Sequence, residues 1–315
     1  MKTIIGSVFV ALLCICGICI TWKVSYMFLE FTQKECDCEK CQKNDKLDEQ
    51  WFLQRFQKNI SPFLTSHYNL SQEAFIWWKG RQSERRDYNF YQKTTQKIFE
   101  IIPAYPPVVG HSPHHCWTCA VVGNSGNLRR SHNGKLIDLH DSVFRINYGR
   151  TDGFEEDVGS KTTHRVIYPE SAGAKLDKST HLVFFPFKIR DLEWLISKLT
   201  ADTNAVSSLR SNIQAKHKDL VMVVNPAFMQ YVHLSWLNGK GKYSSTGFMT
   251  VILALHICDK VSVFGFGADS DGNWSHYWEV LKNKQLRTGP HPGSAEYDLI
   301  EELARQGKLV FYKGF

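Results

Sequence analysis

From Cys119 onward, short apolar runs of strand length alternate with stretches of helical character. Cys119-Ala-Val-Val122 ends in Gly123-Asn-Ser-Gly126, Asp141–Tyr148 alternates as a strand does, and His164–Tyr168 and His181–Phe187 follow, the latter closing at Pro186. Asp191–Leu199 reads as a helix, Leu220–Val224 as a strand and Thr246–Leu255 as an apolar helix. Val261–Phe266 is a strand ending at Gly267, and Glu296–Arg305 with Lys308–Tyr312 gives a last helix and strand. Continuously apolar strands are buried on both faces, and strands separated by helices are joined by crossovers. The pattern therefore predicts an α/β fold with a mainly parallel, doubly wound sheet. Ligands of such sheets sit beyond the carboxyl ends of the strands.

Upstream, apolar and aromatic residues recur at helical intervals between Trp51 and Ile102 (Trp51, Phe52, Phe56; Phe75, Trp77, Trp78), which predicts two or three helices. Pro103, Pro106, Pro107 and Pro113 then form an extended connection. The 315 residues suffice for one large α/β domain or two smaller ones. With 21 Gly, 10 Pro and 13% aromatic residues the chain is neither collagenous nor disordered. The net charge of +7 is too diffuse to imply nucleic-acid binding and is compatible with a phosphate- or carboxylate-bearing ligand.

The segment from Thr3 to Trp22 holds no charged residue. A helix of about 20 such residues, rising about 1.5 Å each, spans the hydrocarbon layer of a bilayer. The run is long for a cleaved signal peptide, and bulky Trp22, Tyr26, Met27 and Phe28 stand where a small-x-small cleavage site would be. The expected organisation is a cytoplasmic tail over 1–3, a transmembrane signal-anchor helix over 4–22, a polar stem over 23–50 and a lumenal body over 51–315. Of nine Cys, six lie outside the apolar run: Cys36, Cys38, Cys41, Cys116, Cys119 and Cys258. An even number in an oxidising compartment suggests three bridges, with about fifteen pairings open. Asn69-Leu-Ser71 and Asn273-Trp-Ser275 are N-glycosylation sequons; Asn59-Ile-Ser61 is followed by Pro62 and is a poor acceptor.

Four polar constellations fall near strand ends. Gly123-Asn-Ser-Gly126 lets backbone amides approach a phosphate, although a tight turn accounts for it equally well, and it is neither a dinucleotide fingerprint nor a P-loop. Arg145-Ile-Asn147-Tyr148 places an amide suited to a ribose or base edge, or simply a turn residue. Tyr243-Ser-Ser-Thr-Gly247 opens the apolar helix, where a hydroxyl caps the helix and the same outward-pointing amides make an anion site. His276, in His-Tyr-Trp-Glu279, and His291, in His-Pro-Gly-Ser-Ala-Glu296, lie in loop-like sequence and suit acid–base work. Asp269-Ser-Asp271 is a D-x-D that reads as a metal site or as a solvated turn, and Cys116-x-x-Cys119 as cysteines of structural disulfides rather than a zinc or redox pair.

Cys116 to about Ser171, Asn225 to Gly267, His276–Glu279 and His291–Glu296 together resemble the large, small, third and very small motifs of the eukaryotic sialyltransferase family, in that family's order. The likeness is strongest to β-galactoside α2,3-sialyltransferases acting on Galβ1,3GalNAc. It is carried by Cys119-Ala-Val-Val-Gly-Asn-Ser-Gly126, Tyr168-Pro-Glu-Ser171, Tyr243-x-Ser-Thr-Gly247 and Gly265-Phe-Gly-Ala-Asp-Ser270. The resemblance implies a single GT-A-like (Rossmann-like) domain. It also implies an inverting, metal- and cofactor-independent transfer of N-acetylneuraminic acid from CMP-sialic acid to the 3-hydroxyl of galactose on O-glycans or glycolipids.

By the same resemblance, Asn124, Ser125 and Asn147 hold the CMP moiety, and Tyr243, Ser245, Thr246 and Gly247 surround the phosphate and sialic acid. His276 serves the departing phosphate, His291 is the general base, and Gln82 with Tyr243 faces the acceptor. Cys119–Cys258, Cys38–Cys116 and Cys36–Cys41 are the implied bridges, and a Golgi type II membrane location, with or without release of a soluble form from the stem, is the implied setting. The chain departs from the family pattern at 172–175, at 200–211 and around Trp77–Gln82. Another acceptor or linkage (α2,6 or α2,8), or a catalytically weak lectin-like relative, is the alternative reading.

Overall fold

The computed structural model describes Cys38 and residues 49–107, 114–173, 176–200, 215–280 and 289–314. Within them the strands are β1 (Thr118–Val122), β2 (Ser142–Ile146), β3 (His164–Ile167), β4 (His181–Phe184), β5 (Val221–Val223), β6 (Lys260–Phe264) and β7 (Val310–Tyr312). They form one sheet in the order β5-β4-β3-β2-β1-β6-β7, and every neighbouring pair is parallel. The strands are short and β-branched or aromatic, and β2 is buried at all five positions, as a strand covered on both faces must be. The chain lays β2 to β5 on one side of β1 and β6 with β7 on the other. The winding therefore reverses between β1 and β6, and a crevice opens at their carboxyl ends.

The described helices are α1 (Glu49–Leu53), α2 (Gln72–Arg81), α3 (Tyr88–Phe99), α4 (Gly134–Asp138), α5 (Glu155–Val158), α6 (Ile189–Thr200), α7 (Pro226–Tyr231), α8 (Thr246–Ile257) and α9 (Gly293–Arg305). Ser71 and Asp87 start α2 and α3 by accepting from the amides of Ala74 and Phe90. α8 is apolar all round and is buried from Phe248 through Leu255, so it lies inside the molecule against β1, β2, β3 and β6 rather than on its surface. Alternation along the strands divides the core. Val121, Phe144, Val166 and Val183 face α8 and the amino-terminal helices, while Ala120, Val122, Val143 and Phe264 face Leu128, Ile137 and Val158. Trp78 of α2 is fully buried and its indole N–H donates to the Pro186 carbonyl at 2.8 Å, which ties the amino-terminal helices to the sheet.

The expected strands and the longer helices are present with shifted ends. The last helix begins at Gly293 instead of Glu296, because Pro292 already stands at its N-cap. The region from 124 to 165 contains α4 and α5, which were not expected from its polar sequence, and α7 runs into one turn of π-helix, Val232–Trp236. Cys119–Cys258 and Cys38–Cys116 are bonded, the first joining β1 to the end of α8 across 139 residues of chain. The Cys36–Cys41 bridge, the anchor over 4–22, nearly all of the stem, and residues 174–175 and 201–214 lie outside the described residues. No helix among the described residues is long and apolar enough to cross a membrane.

Candidate active site

A cavity of about 390 Å³ lies at the crevice between the ends of β1 and β6. Its floor is the turn after β1 (Gly123, Asn124, Ser125) and the turn after β6 (Gly265, Phe266, Gly267). The two turns approach so closely that a Cβ on Gly123 would sit 2.2 Å from the Gly265 carbonyl oxygen, and Gly265 itself has φ +69°. Only glycine meets both demands.

Segment 275–277 is laid along the β1 turn. Gly126 N–H donates to Ser275 O at 2.8 Å, Tyr277 N–H donates to Asn124 O at 3.0 Å, and Ser125 and His276 form an antiparallel bridge. This places the His276 ring at the cavity. Its Nδ1 bonds the Glu279 carboxylate and its face stacks on Trp278 at 4.5 Å, so a carboxylate and an indole fix the ring's orientation and leave Nε2 for a ligand.

His291 reaches the same cavity from the other side. Lys242 N–H donates to Pro290 O at 3.0 Å, drawing the 241–243 loop against the start of α9. His291 Nδ1 then donates to Tyr243 O at 3.2 Å, and the Tyr243 ring meets the imidazole edge-on at 5.0 Å. That bond puts the proton on Nδ1 and the lone pair on Nε2. Burial pushes the His291 pKa below the ordinary histidine value, partly opposed by the bond to Tyr243, so the ring is a neutral acceptor near neutral pH.

Two long helices open on the cavity. Gly247 in the first turn of α8 and Gly293 at the first position of α9 both line it, so two sets of outward-pointing amides and two helix dipoles converge there. This arrangement suits an anion. Glu296 binds the helices together: its carboxylate accepts from Ser245 N–H at 2.7 Å and from the Ser245 hydroxyl at 2.6 Å, while that hydroxyl also caps α8 by accepting from Phe248 N–H. The carboxylate is 6% exposed, and burial raises its pKa. In the sequence Glu296 stands out only as the end of the His291 motif. Its partnership with Ser245 spans 51 residues and left no local trace in the sequence.

Of the residues singled out by sequence, Asn124, Ser125, Ser245, Gly247, His276 and His291 line this cavity. Asn147, Tyr243, Thr246 and Gln82 do not. Asn147 turns the chain after β2 at φ +52° with a buried side-chain oxygen that no protein group satisfies. Thr246 is buried in the first turn of α8, and Tyr243 stands behind His291 and packs on Phe187. Gln82 caps the end of α2, which meets the 242 loop through Arg81 Nη1 donating to Lys242 O. The Ser245 hydroxyl is committed to Glu296 and to the helix cap, so Ser245 builds the turn. Asp269 accepts from the amides of Asp271 and Asn273 and closes a tight turn, the alternative to a metal ligand. Within the 172–175 departure, a Cβ on Gly173 would meet the Tyr148 hydroxyl at 2.4 Å.

Residues 63–308 match the model of glycosyltransferase family 29 (sialyltransferase), and the chain belongs to that family. It is 40% identical over 312 residues to the CMP-N-acetylneuraminate-beta-galactosamide-alpha-2,3-sialyltransferase 1 of Mus musculus, covering 95% of this chain and 91% of the relative. It is also 40% identical over 285 residues to the type 2 enzyme of that name from Rattus norvegicus, covering 89% and 81%. Among solved structures it is similar to a mammalian sialyltransferase in complex with Gal-beta-1-3GalNAc-ortho-nitrophenol. The TM-score is 0.76 with 38% identity, covering 89% of this chain and 100% of that one.

Proposed function

We propose that this sialyltransferase moves N-acetylneuraminic acid from CMP-sialic acid to the 3-hydroxyl of galactose in Galβ1,3GalNAc, with inversion. The observation that carries the mechanism is the convergence of His276, His291 and the amino ends of α8 and α9 on one cavity. The buried carboxamide oxygen of Asn124, at the cavity, has no protein partner and suits a donor of a nucleoside. The phosphate belongs at the helix ends, beside His276 Nε2. As the bond from the anomeric carbon to the phosphate oxygen breaks, its electron pair passes to the phosphate, where His276 and the first-turn amides stabilise the growing charge. The galactose 3-hydroxyl attacks the opposite face of the anomeric carbon and gives its proton to His291 Nε2. The Tyr243 carbonyl holds His291 in the tautomer with its lone pair on Nε2, and Glu279 fixes the His276 ring so that Nε2, whose N–H is the donor this role needs, faces the phosphate.

A donor with a single phosphate requires less divalent neutralisation than a diphosphate sugar, and Asp269 Oδ1 accepts two amides of its own turn; both support a reaction that needs no metal ion or other cofactor. The α2,3 linkage and the acceptor are supported by the names of the relatives at about 40% identity. The human alpha-N-acetylgalactosaminide alpha-2,6-sialyltransferase 1 is 27% identical over 303 residues. We further propose a Golgi type II setting, with the anchor over 4–22 and the catalytic domain lumenal. It is supported by the apolar run, the two bridges and the exposed sequon Asn69.

An acceptor panel tests the reading. With CMP-sialic acid as donor, Galβ1,3GalNAc is expected to outperform N-acetyllactosamine and GalNAc, and the product to be cut by an α2,3-specific sialidase. Transfer only to GalNAc, or none to Galβ1,3GalNAc, would overturn the acceptor assignment.

A further inference from the structure

Arg145 of β2 and Arg165 of β3 are directly opposite each other in the parallel register, on the sheet face that carries α4 and α5. They are 0% and 6% exposed. Among the described residues neither makes an ion pair. Arg145 Nε donates to Lys161 O and to the Thr162 hydroxyl, both at 3.0 Å, and its Nη2 donates to Val158 O at 2.8 Å. Arg165 Nη1 donates to Asn147 O at 3.2 Å and to Gly149 O at 2.9 Å. Arg145 Nη1 and Arg165 Nε are buried with no protein partner. Burial, joined for Arg165 by the neighbouring Arg145 charge, pushes both guanidiniums down to about 10. Tyr277 and Asp138 act on Arg145, and Tyr277 and Asp177 on Arg165, without forming an ion pair with either guanidinium, and Asp138 is already bound to the amides of Ser160 and Lys161. Like charges on opposed strand positions destabilise a sheet, and buried charges are costly unless something compensates them.

The position of Arg165 shows what compensates its charge. Asn124 and Ile146 line the cavity, and Asn124 Nδ2 donates to Ile146 O at 3.0 Å. A Cβ on Gly149 would lie 3.1 Å from Arg165 Nη1, 3.1 Å from Ile146 O and 3.3 Å from Asn124 Oδ1, so the guanidinium stands one side chain behind the cavity wall. We propose that Arg165 is a positioning residue that supplies fixed positive charge behind Asn124 and holds the anionic nucleotide by its field rather than by contact. Its charge has no ion-pair partner among the described residues, and the ligand's phosphate and carboxylate are its counter-charge. This rests on the nucleotide-donor reading of the cavity.

Calorimetric titration of the full chain with CMP and with uncharged cytidine tests it. The wild-type protein is expected to bind CMP well above cytidine. Arg165→Met should weaken CMP by about 10- to 100-fold, the worth of one charge across a low-dielectric wall, and change cytidine by less than about twofold. Should Arg165→Met not fold, Arg165→Lys keeps the charge without the fork and should retain the CMP preference within about threefold. Equal losses for CMP and cytidine, no loss for either, or collapse of the preference in Arg165→Lys would overturn the proposal. A wild-type protein that binds neither compound would overturn the donor reading itself.

Discussion

Glu296 brings a carboxylate into a cavity suited to anions, and its geometry explains why that is tolerated. Both oxygens accept from Ser245, which spends their charge within the turn rather than on an incoming phosphate, and burial raises the pKa of the group. Glu296→Ala leaves the turn before α8 without its clamp and should lower kcat/KM by about 10- to 100-fold, the range for a lost charged hydrogen bond. CMP binding, which uses the same turn, should weaken in parallel. Steady-state kinetics and a CMP titration check both, and an unchanged kcat/KM would contradict the clamp.

His291→Ala removes the proposed base and should lower turnover by about 10² to 10⁴ while CMP binding is kept. Because burial lowers the His291 pKa, the base is lost to protonation only below the ordinary histidine value. The kcat/KM profile should therefore be flat near neutral pH and fall on an inflection under about 6.5; an inflection above that value would contradict the assignment. Both histidines were legible as motif residues. Neither the Tyr243 carbonyl that sets one tautomer nor the Glu296–Ser245 clamp was, because each joins residues about fifty positions apart.

At the scale of elements, Phe144, His164 and His181 occupy neighbouring positions on β2, β3 and β4 and stack in a row, at 4.2 and 4.8 Å. Burial holds His164 down to about 3 and also lowers His181. The unfolded chain takes up a proton near pH 6.5 that the folded chain refuses. This contribution to stability is therefore full above about 6.5 and is lost progressively as the pH falls toward 3. His164→Phe should reduce the loss of stability between pH 7.5 and pH 5 by about 1–2 kcal/mol in urea unfolding, and an unchanged loss would contradict the account.

Replacing Cys119 and Cys258 together with Ser should cost about 2–5 kcal/mol in the same assay, since their bridge closes a long loop. The strands were legible because each is an apolar run bounded by turn residues. α4, α5 and α7 were not, because four to six residues contain no periodicity to read. The start of α9 is hidden in the sequence because Pro292, its N-cap, and Gly293, its first residue, are poor helix formers inside a helix.

The whole molecule places its chemistry by topology. Residues 123–125, 245–247, 265–267, 274–276 and 291–296 are distant in sequence, and the reversal of winding between β1 and β6 brings them to one crevice. The parallel sheet, and hence the location of the site, followed from strand–helix alternation. The buried charge behind the site did not, because Arg165 sits inside a run that reads simply as a strand. If helix ends, imidazole and fixed charge together neutralise the leaving group, EDTA should leave the rate within about twofold, and a rate abolished by EDTA and restored by a divalent ion would return Asp269 and Asp271 to consideration as ligands.

The central claim is that one phosphate and one sugar hydroxyl are handled by two separate imidazoles across a single cavity. A crystal structure with CMP and Galβ1,3GalNAc bound is its most direct measurement. His276 Nε2 is expected within hydrogen-bond distance of the phosphate and His291 Nε2 within the same distance of the galactose 3-hydroxyl. A complex in which either ring stands away from its partner, or in which the nucleotide lies outside the crevice between β1 and β6, would contradict it.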